Sequence, residues 1–204
     1  MLKTSANYFP ELTRVRQITE SYCGPAVLQM LLSFHSFWTT QGFIIDAAGV
    51  SPRIDLHGTT VWELAHALTK VAPHLAFWYK DYSVIDDLST IVETYHHPVG
   101  VEWQGVFGEN EEQDVDGHYS VVTHVNITEG FILLADPFSE FAGRDRKFSI
   151  IDFNRKWWDY NEIPNKYSGI PESVRDERMM FTVTTSEANF PEIIGMKKWN
   201  SVTL

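Results

Sequence analysis

Apolar positions recur at helical spacing through the first half of the chain and at strand spacing through the second. After Tyr22-Cys23-Gly24-Pro25, residues 26–37 carry Val27, Leu28, Leu31, Leu32 and Phe34 on one face, which predicts an amphipathic helix. A shorter helix is expected over Gln41–Ala48. Thr60 followed three residues later by Glu63 is a capping-box pattern, and Val61, Leu64, Ala65, Leu68 and Val71 form the stripe of the helix behind it. A further helix is predicted over 84–95, with Ser83 as its cap and Leu88, Ile91, Val92 and Tyr95 turned inward. From Pro98 onward the period shortens to two. Residues 98–103, 118–126, 131–136, 147–153 and 179–185 read as strands, with an acidic loop at 108–117 and a hairpin loop at 126–130. The stretch after Trp157 contains Pro164, Pro171 and Pro191, shows no period and is expected to be irregular. Helices first and antiparallel strands after predict an α+β fold, with N-terminal helices packed on an antiparallel sheet.

Size and charge narrow the classes. At 204 residues, without repeat, low-complexity tract or linker, residues 1–204 are expected to form one domain. No apolar run approaches the roughly 20 residues of a membrane span. The first ten residues lack the apolar core of a signal peptide, so a soluble, cytoplasmic protein is expected. A single cysteine excludes a disulfide framework and any multi-cysteine metal centre. His96, His97, His118 and His124 match no zinc-ligand spacing. Residues 110–117 place oxygen ligands at alternate positions, as a calcium loop does, but lack its closing bidentate glutamate. No metal and no cofactor are therefore expected. The net charge of −11 is uneven: residues 81–143 hold thirteen acids and no lysine or arginine. Such a segment repels phosphate backbones, which excludes nucleic acid as a partner, and favours neutral or basic peptides over acidic ones. The alternative is a solvated acidic surface with no partner.

The chemistry starts with Cys23. It lies at or just before the first turn of a predicted helix, where unpaired N–H groups and the positive end of the dipole stabilise a thiolate. The residue types at this point fit equally a nucleophile or a small buried core cysteine. Gln17, six residues upstream, could bring a side-chain amide to an oxyanion beside the Cys23 N–H, or be a solvated loop residue. His118 opens one strand and Asp136 closes the next. A five-residue hairpin loop pairs Val125 with Phe131 and Ser120 with Asp136, which puts His118 and Asp136 on one face as diagonal neighbours. A four-residue loop puts them on opposite faces.

Taken together, Gln17-x5-Cys23-Gly24-Pro25-Ala26, Gly117-His118-Tyr119-Ser120-Val121-Val122 and Leu133-Leu134-Ala135-Asp136-Pro137 resemble the bacteriocin-processing (double-glycine) peptidase-like family of papain-like cysteine peptidases. Gly58-Thr59-Thr60 and Pro98-Val99-Gly100-Val101 follow the same order of elements, and the resemblance covers about residues 14–158. It implies a papain-like fold, with Cys23 as nucleophile, His118 as base and proton carrier, Asp136 as orienter of the imidazole and Gln17 as oxyanion donor. The implied activity is hydrolysis of an amide bond in a peptide or protein substrate. Two rivals stay open: a catalytically silent binding module, and a thiol-dependent transferase or amidase acting on a small molecule.

Overall fold

The computed structural model describes residues 8–108, 115–163 and 172–200. Four helices come first, α1 (Cys23–Phe34), α2 (Gln41–Ala48), α3 (Ile54–His57) and α4 (Val61–Val71). After β1 (Leu75–Lys80) and α5 (Ile85–Ser89) come β2 (Val99–Val106), β3 (Val115–Asn126), β4 (Phe131–Ala135) and β5 (Asp145–Ser149). The chain continues through α6 (Ile150–Lys156), β6 (Trp158–Ile163), β7 (Glu172–Glu177), β8 (Met180–Thr185), α7 (Phe190–Ile193) and β9 (Lys197–Lys198). Seven strands form one antiparallel sheet in the order β5-β4-β3-β2-β8-β1-β9, and β6 pairs with β7 in a sheet of two. No helix among the described residues is long and apolar enough to cross a membrane.

Alternation along the strands divides the core into two layers. Tyr119, Val121, Phe181 and Val183 face α1 and α4, which contribute Val27, Leu31, Leu64 and Leu68. Val122, Ile132, Leu134 and Met180 face the opposite layer, where Leu88, Ile91, Phe153 and Trp157 pack. The capping box at α4 forms as expected: Glu63 N–H donates to Thr60 Oγ1 at 3.3 Å and Thr60 N–H donates to Glu63 Oε2 at 2.9 Å.

The departures from the sequence reading have local causes. Helix α1 starts three residues earlier than expected, with Cys23 inside its first turn. The 84–95 helix breaks into α5 and a π turn over Thr90–Thr94. Its first turn is held by Val84 N–H donating to Asp87 Oδ2, whereas the Ser83 hydroxyl donates to the Lys80 carbonyl instead of capping. Residues 147–153 are not one strand. The Ser149 hydroxyl accepts Asp152 N–H at 3.0 Å and turns the chain into α6. The region after Trp157 is not irregular throughout, since it supplies the β6–β7 hairpin and β8, which lies between β2 and β1. Much of the acidic loop at 108–117, with most of its calcium-like spacing, lies outside the described residues.

One register detail carries the site. The β3–β4 hairpin pairs Asn126 with Phe131, so its loop has four residues and not five. Left alone, that register would turn His118 and Asp136 to opposite faces. A bulge between Val122 and His124 absorbs one residue, after which Val121 pairs with Ala135 and the expected parity returns. Thr123, in the bulge, sets its hydroxyl 3.0 Å from Asp145 Oδ2, and Arg14 grips the same carboxylate at 2.6 and 2.9 Å.

Candidate active site

Cys23 is the first residue of α1 and is 8% exposed. Tyr22 makes no side-chain cap, so the leading N–H groups of the helix have no side-chain acceptor, and Pro25 has none to offer. Gly24 lets this turn press against the 59 loop, because a Cβ there would run into the Thr59 hydroxyl.

His118 reaches Cys23 from β3. Its buried ring donates from Nε2 to Asp136 Oδ1 at 2.8 Å, and Cys23 lies near enough to favour its charge. The edge of the ring meets Phe107, with centroids 5.0 Å apart. Asp136 Oδ1 also accepts the Phe138 N–H at 2.9 Å, the Asx-type turn that Asp136-Pro137 favours. The chain before Cys23 is tied to the same turn, since Gln17 N–H donates to the Pro137 carbonyl at 2.8 Å.

An arginine completes the group. Arg146 Nη1 donates to Asp136 Oδ2 at 2.6 Å and its Nη2 to the Val106 carbonyl at 2.8 Å, while the guanidinium lies 3.5 Å over the Phe141 ring. The sequence reading missed this residue. The only signal was the return of basic residues directly after the acidic segment, and the β4–β5 register that pairs Arg146 with Leu134 could not be read from it. Arg146 also corrects the charge map, since the surroundings of Asp136 are not uniformly negative.

Burial opposes charge on the His118 ring, but the Asp136 carboxylate, its hydrogen bond and Cys23 outweigh it and hold the ring at about 10. Burial likewise opposes charge on Asp136, and His118, the Phe138 N–H and Arg146 together hold it at about 2. The pair is therefore ionised on both sides at neutral pH. Because the histidine value is raised on folding, its stabilising contribution is complete below about pH 6.5 and is lost as pH climbs through 10. Because the aspartate value is lowered, its contribution is present above about pH 4 and is lost as pH falls through 2. Urea midpoints should accordingly decline between pH 7 and 10, and His118→Gln should flatten that decline. An identical slope in both proteins would mean that the pair does not set it.

Gln17 is 4% exposed, so it is not a solvated loop residue. Its amide donates to the carbonyls of Thr19 at 2.9 Å and Glu20 at 2.8 Å, and its Oε1 is buried without a partner among the described residues. Both donors are in use, so donation to an oxyanion would have to displace one carbonyl. Beyond Cys23 opens a cleft of about 580 Å³, bordered by Thr59, Glu102, Tyr119 and Asp159. Trp157 is fully buried and donates to the Met179 carbonyl, and Trp158 meets Tyr160 edge-on.

The fold has counterparts among solved structures. The peptidase domain of Streptococcus ComA, a bi-functional ABC transporter involved in a quorum-sensing pathway, superposes with a TM-score of 0.55 at 16% identity, covering 85% of this chain and 98% of that domain. A double-glycine-motif protease from an AMS/PCAT transporter, solved with its leader peptide, gives the same TM-score at 14% identity, covering 90% and 97%. The chain has the fold of double-glycine peptidase domains. It is an α+β, papain-like fold, as the sequence pattern implied. No family model matches the sequence, and no curated protein does.

Proposed function

We propose that this protein is a cysteine peptidase that cleaves an amide bond in a peptide or protein substrate, with Cys23, His118 and Asp136 as its triad. The observation that carries this reading is the buried His118–Asp136 hydrogen bond at 2.8 Å, on a ring that also has Cys23 as neighbour at a helix N-terminus. The fold shared with double-glycine peptidase domains supports it. No cofactor enters the chemistry, and a cytoplasmic location goes with the reading.

A charged ring at Cys23 stabilises a negative sulfur. That sulfur attacks the substrate carbonyl, and the oxyanion is held by the Cys23 N–H and by Gln17 once its amide exchanges a backbone carbonyl for substrate. His118 passes its proton to the departing amine as the C–N bond breaks, leaving a thioester on Cys23. Water, deprotonated by His118, then hydrolyses the thioester and returns the thiol. Asp136, itself held by Arg146, keeps the imidazole oriented throughout.

The engaged donors of Gln17 are the one observation that favours a silent binding cleft instead. Protein quenched in acid during turnover of a peptide ester should carry the acyl group on Cys23, and Gln17→Ala should lower turnover by about 10²–10³. Absence of any acylated protein favours the silent cleft, and full turnover by Gln17→Ala moves the oxyanion donor elsewhere.

A further inference from the structure

The cleft beside Cys23 is built around carboxylates. Five of its described lining residues are acids and none is lysine or arginine. Glu102, on β2, is 1% exposed, yet its Oε2 has no hydrogen-bond donor among the described residues. Its Oε1 accepts the Tyr119 hydroxyl at 2.6 Å from β3 and the Asn161 amide at 3.1 Å from β6. Asn161 also donates to Asp176 on β7 at 2.9 Å. Asp159, on β6, accepts the Gln104 amide at 2.8 Å and leans over Gly117, where any Cβ would run into its carboxylate. Among the described residues the charges that act on Glu102 come from Asp159 and from Asp176, which also hydrogen-bonds Glu102, and those on Asp159 come from Asp116 and Asp176, all of them carboxylates.

Such a cluster is unfavourable to leave empty. Burial and mutual repulsion push Asp159 up to about 7, and push Glu102 well above the usual carboxylate range. A polar network kept only for structure would have its acceptors matched by donors, and Glu102 Oε2 is not matched among the described residues. A cation placed between Glu102 and Asp159 would supply the missing donor and relieve the repulsion. A bare metal ion fits poorly, since no group of three or more His, Cys, Asp or Glu among the described residues is arranged to hold one. An ammonium or guanidinium, which brings its own directed N–H donors, matches acceptors spread along a cleft wall.

We propose that Glu102 and Asp159 form a specificity pocket for a basic side chain of the substrate, lysine or arginine, close to the bond presented to Cys23. The position of this pocket relative to chemistry rests on the peptidase reading above. Two of its acids, Asp159 and Asp176, lie outside the acidic segment of the sequence, so the pocket is made by tertiary structure and not by bulk charge.

Acetylated hexapeptide amides of glycine and alanine, with one lysine moved through each position and a norleucine partner for each, provide the test. Binding is measured on the Cys23→Ala protein, where no turnover intervenes, and hydrolysis on the unaltered protein. At one or two adjacent positions lysine should bind about tenfold or more tightly than norleucine, the scale of one charged hydrogen-bonded contact. Arginine should behave like lysine. Asp159→Asn, at the cleft wall, and Glu102→Gln, which keeps size and hydrogen bonding, should each bring the ratio to about one, with thermal unfolding confirming a folded protein. If no lysine peptide binds better than its norleucine partner, or the preference survives both substitutions, the pocket is overturned. Lysine preference without hydrolysis of any peptide sinks the peptidase reading alone, and hydrolysis without lysine preference sinks the pocket alone.

Discussion

Cys23→Ala is expected to abolish peptide turnover, by a factor of at least about 10³ and up to about 10⁶, the range seen when a nucleophile working within a triad is removed. His118→Ala should cost about as much. The double variant should be no worse than either single one, because attack at sulfur and proton transfer at the ring belong to one step and their losses do not add. Cys23→Ala should leave folding intact, since Val27, Leu28, Leu31 and Leu32 anchor α1 alongside Cys23, whereas His118→Ala breaks a buried pair, so its rates are read well below its own unfolding midpoint. A second readout comes from alkylation. With one cysteine in the chain, iodoacetamide at pH 6 reports on Cys23 alone. Labelling should slow about tenfold or more in His118→Ala, where no charged ring favours the thiolate. Labelling that ignores His118, together with turnover that persists in Cys23→Ala, would remove Cys23 from the chemistry.

Asp136→Asn should damage both stability and activity. The carboxylate has no exposed side-chain surface, and it faces His118 on one oxygen and Arg146 on the other. Neutralising it leaves two cations beside each other without their anion. Breaking a buried pair by removing one partner costs about 3–5 kcal/mol. An asparagine also offers an N–H where the imidazole needs an acceptor, which disfavours the productive tautomer; a loss of about 10⁴ in turnover is expected. Urea unfolding at pH 6 and steady-state hydrolysis check the two halves separately. Stability within about 1 kcal/mol of the unaltered protein would show that the pair is not the structural link its burial suggests. Near-normal turnover would deny Asp136 its orienting role.

Much of the layout was legible because it is written in short-range patterns. The stripes of α1, α2 and α4 and the capping box at Thr60 and Glu63 depend on residues three or four apart, and each is present, with only the ends of α1 shifted by three residues. The alternation that marks β3 and β4 is as local. The 147–153 segment shows the limit of such reading. Its alternation resembles a strand, but one side-chain hydrogen bond at Ser149 redirects it into α6. Strand β1 went unpredicted, and β8 was expected with no place assigned to it. Each is defined by which remote strand it joins, and β8 enters the middle of the sheet from near the end of the chain.

The candidate site divides in the same way. Cys23 beside Gly24-Pro25 and a helix, and His118 and Asp136 at the ends of neighbouring strands, could be chosen from the sequence because residue type and local position already restrict their chemistry. Whether His118 meets Asp136 could not, since the answer turned on a one-residue bulge at Thr123 that compensates a one-residue error in the hairpin loop. Strand parity is a two-state property, and no local pattern records how many residues a bulge absorbs. Arg146 on Asp136, and Glu102 beside Asp159 and Asp176, were out of reach for a related reason. Charges distant in sequence were brought together by the packing of β5, β6 and β7 around the site, so a charge map drawn along the chain could show neither the cation that offsets Asp136 nor the acids gathered in the cleft. The sequence by itself determined the helices, the alternating strands and the reactive residue types. Tertiary structure alone decided the sheet order, the parity of the histidine and aspartate, and which charges face one another, because those depend on pairings between segments that no short-range pattern encodes.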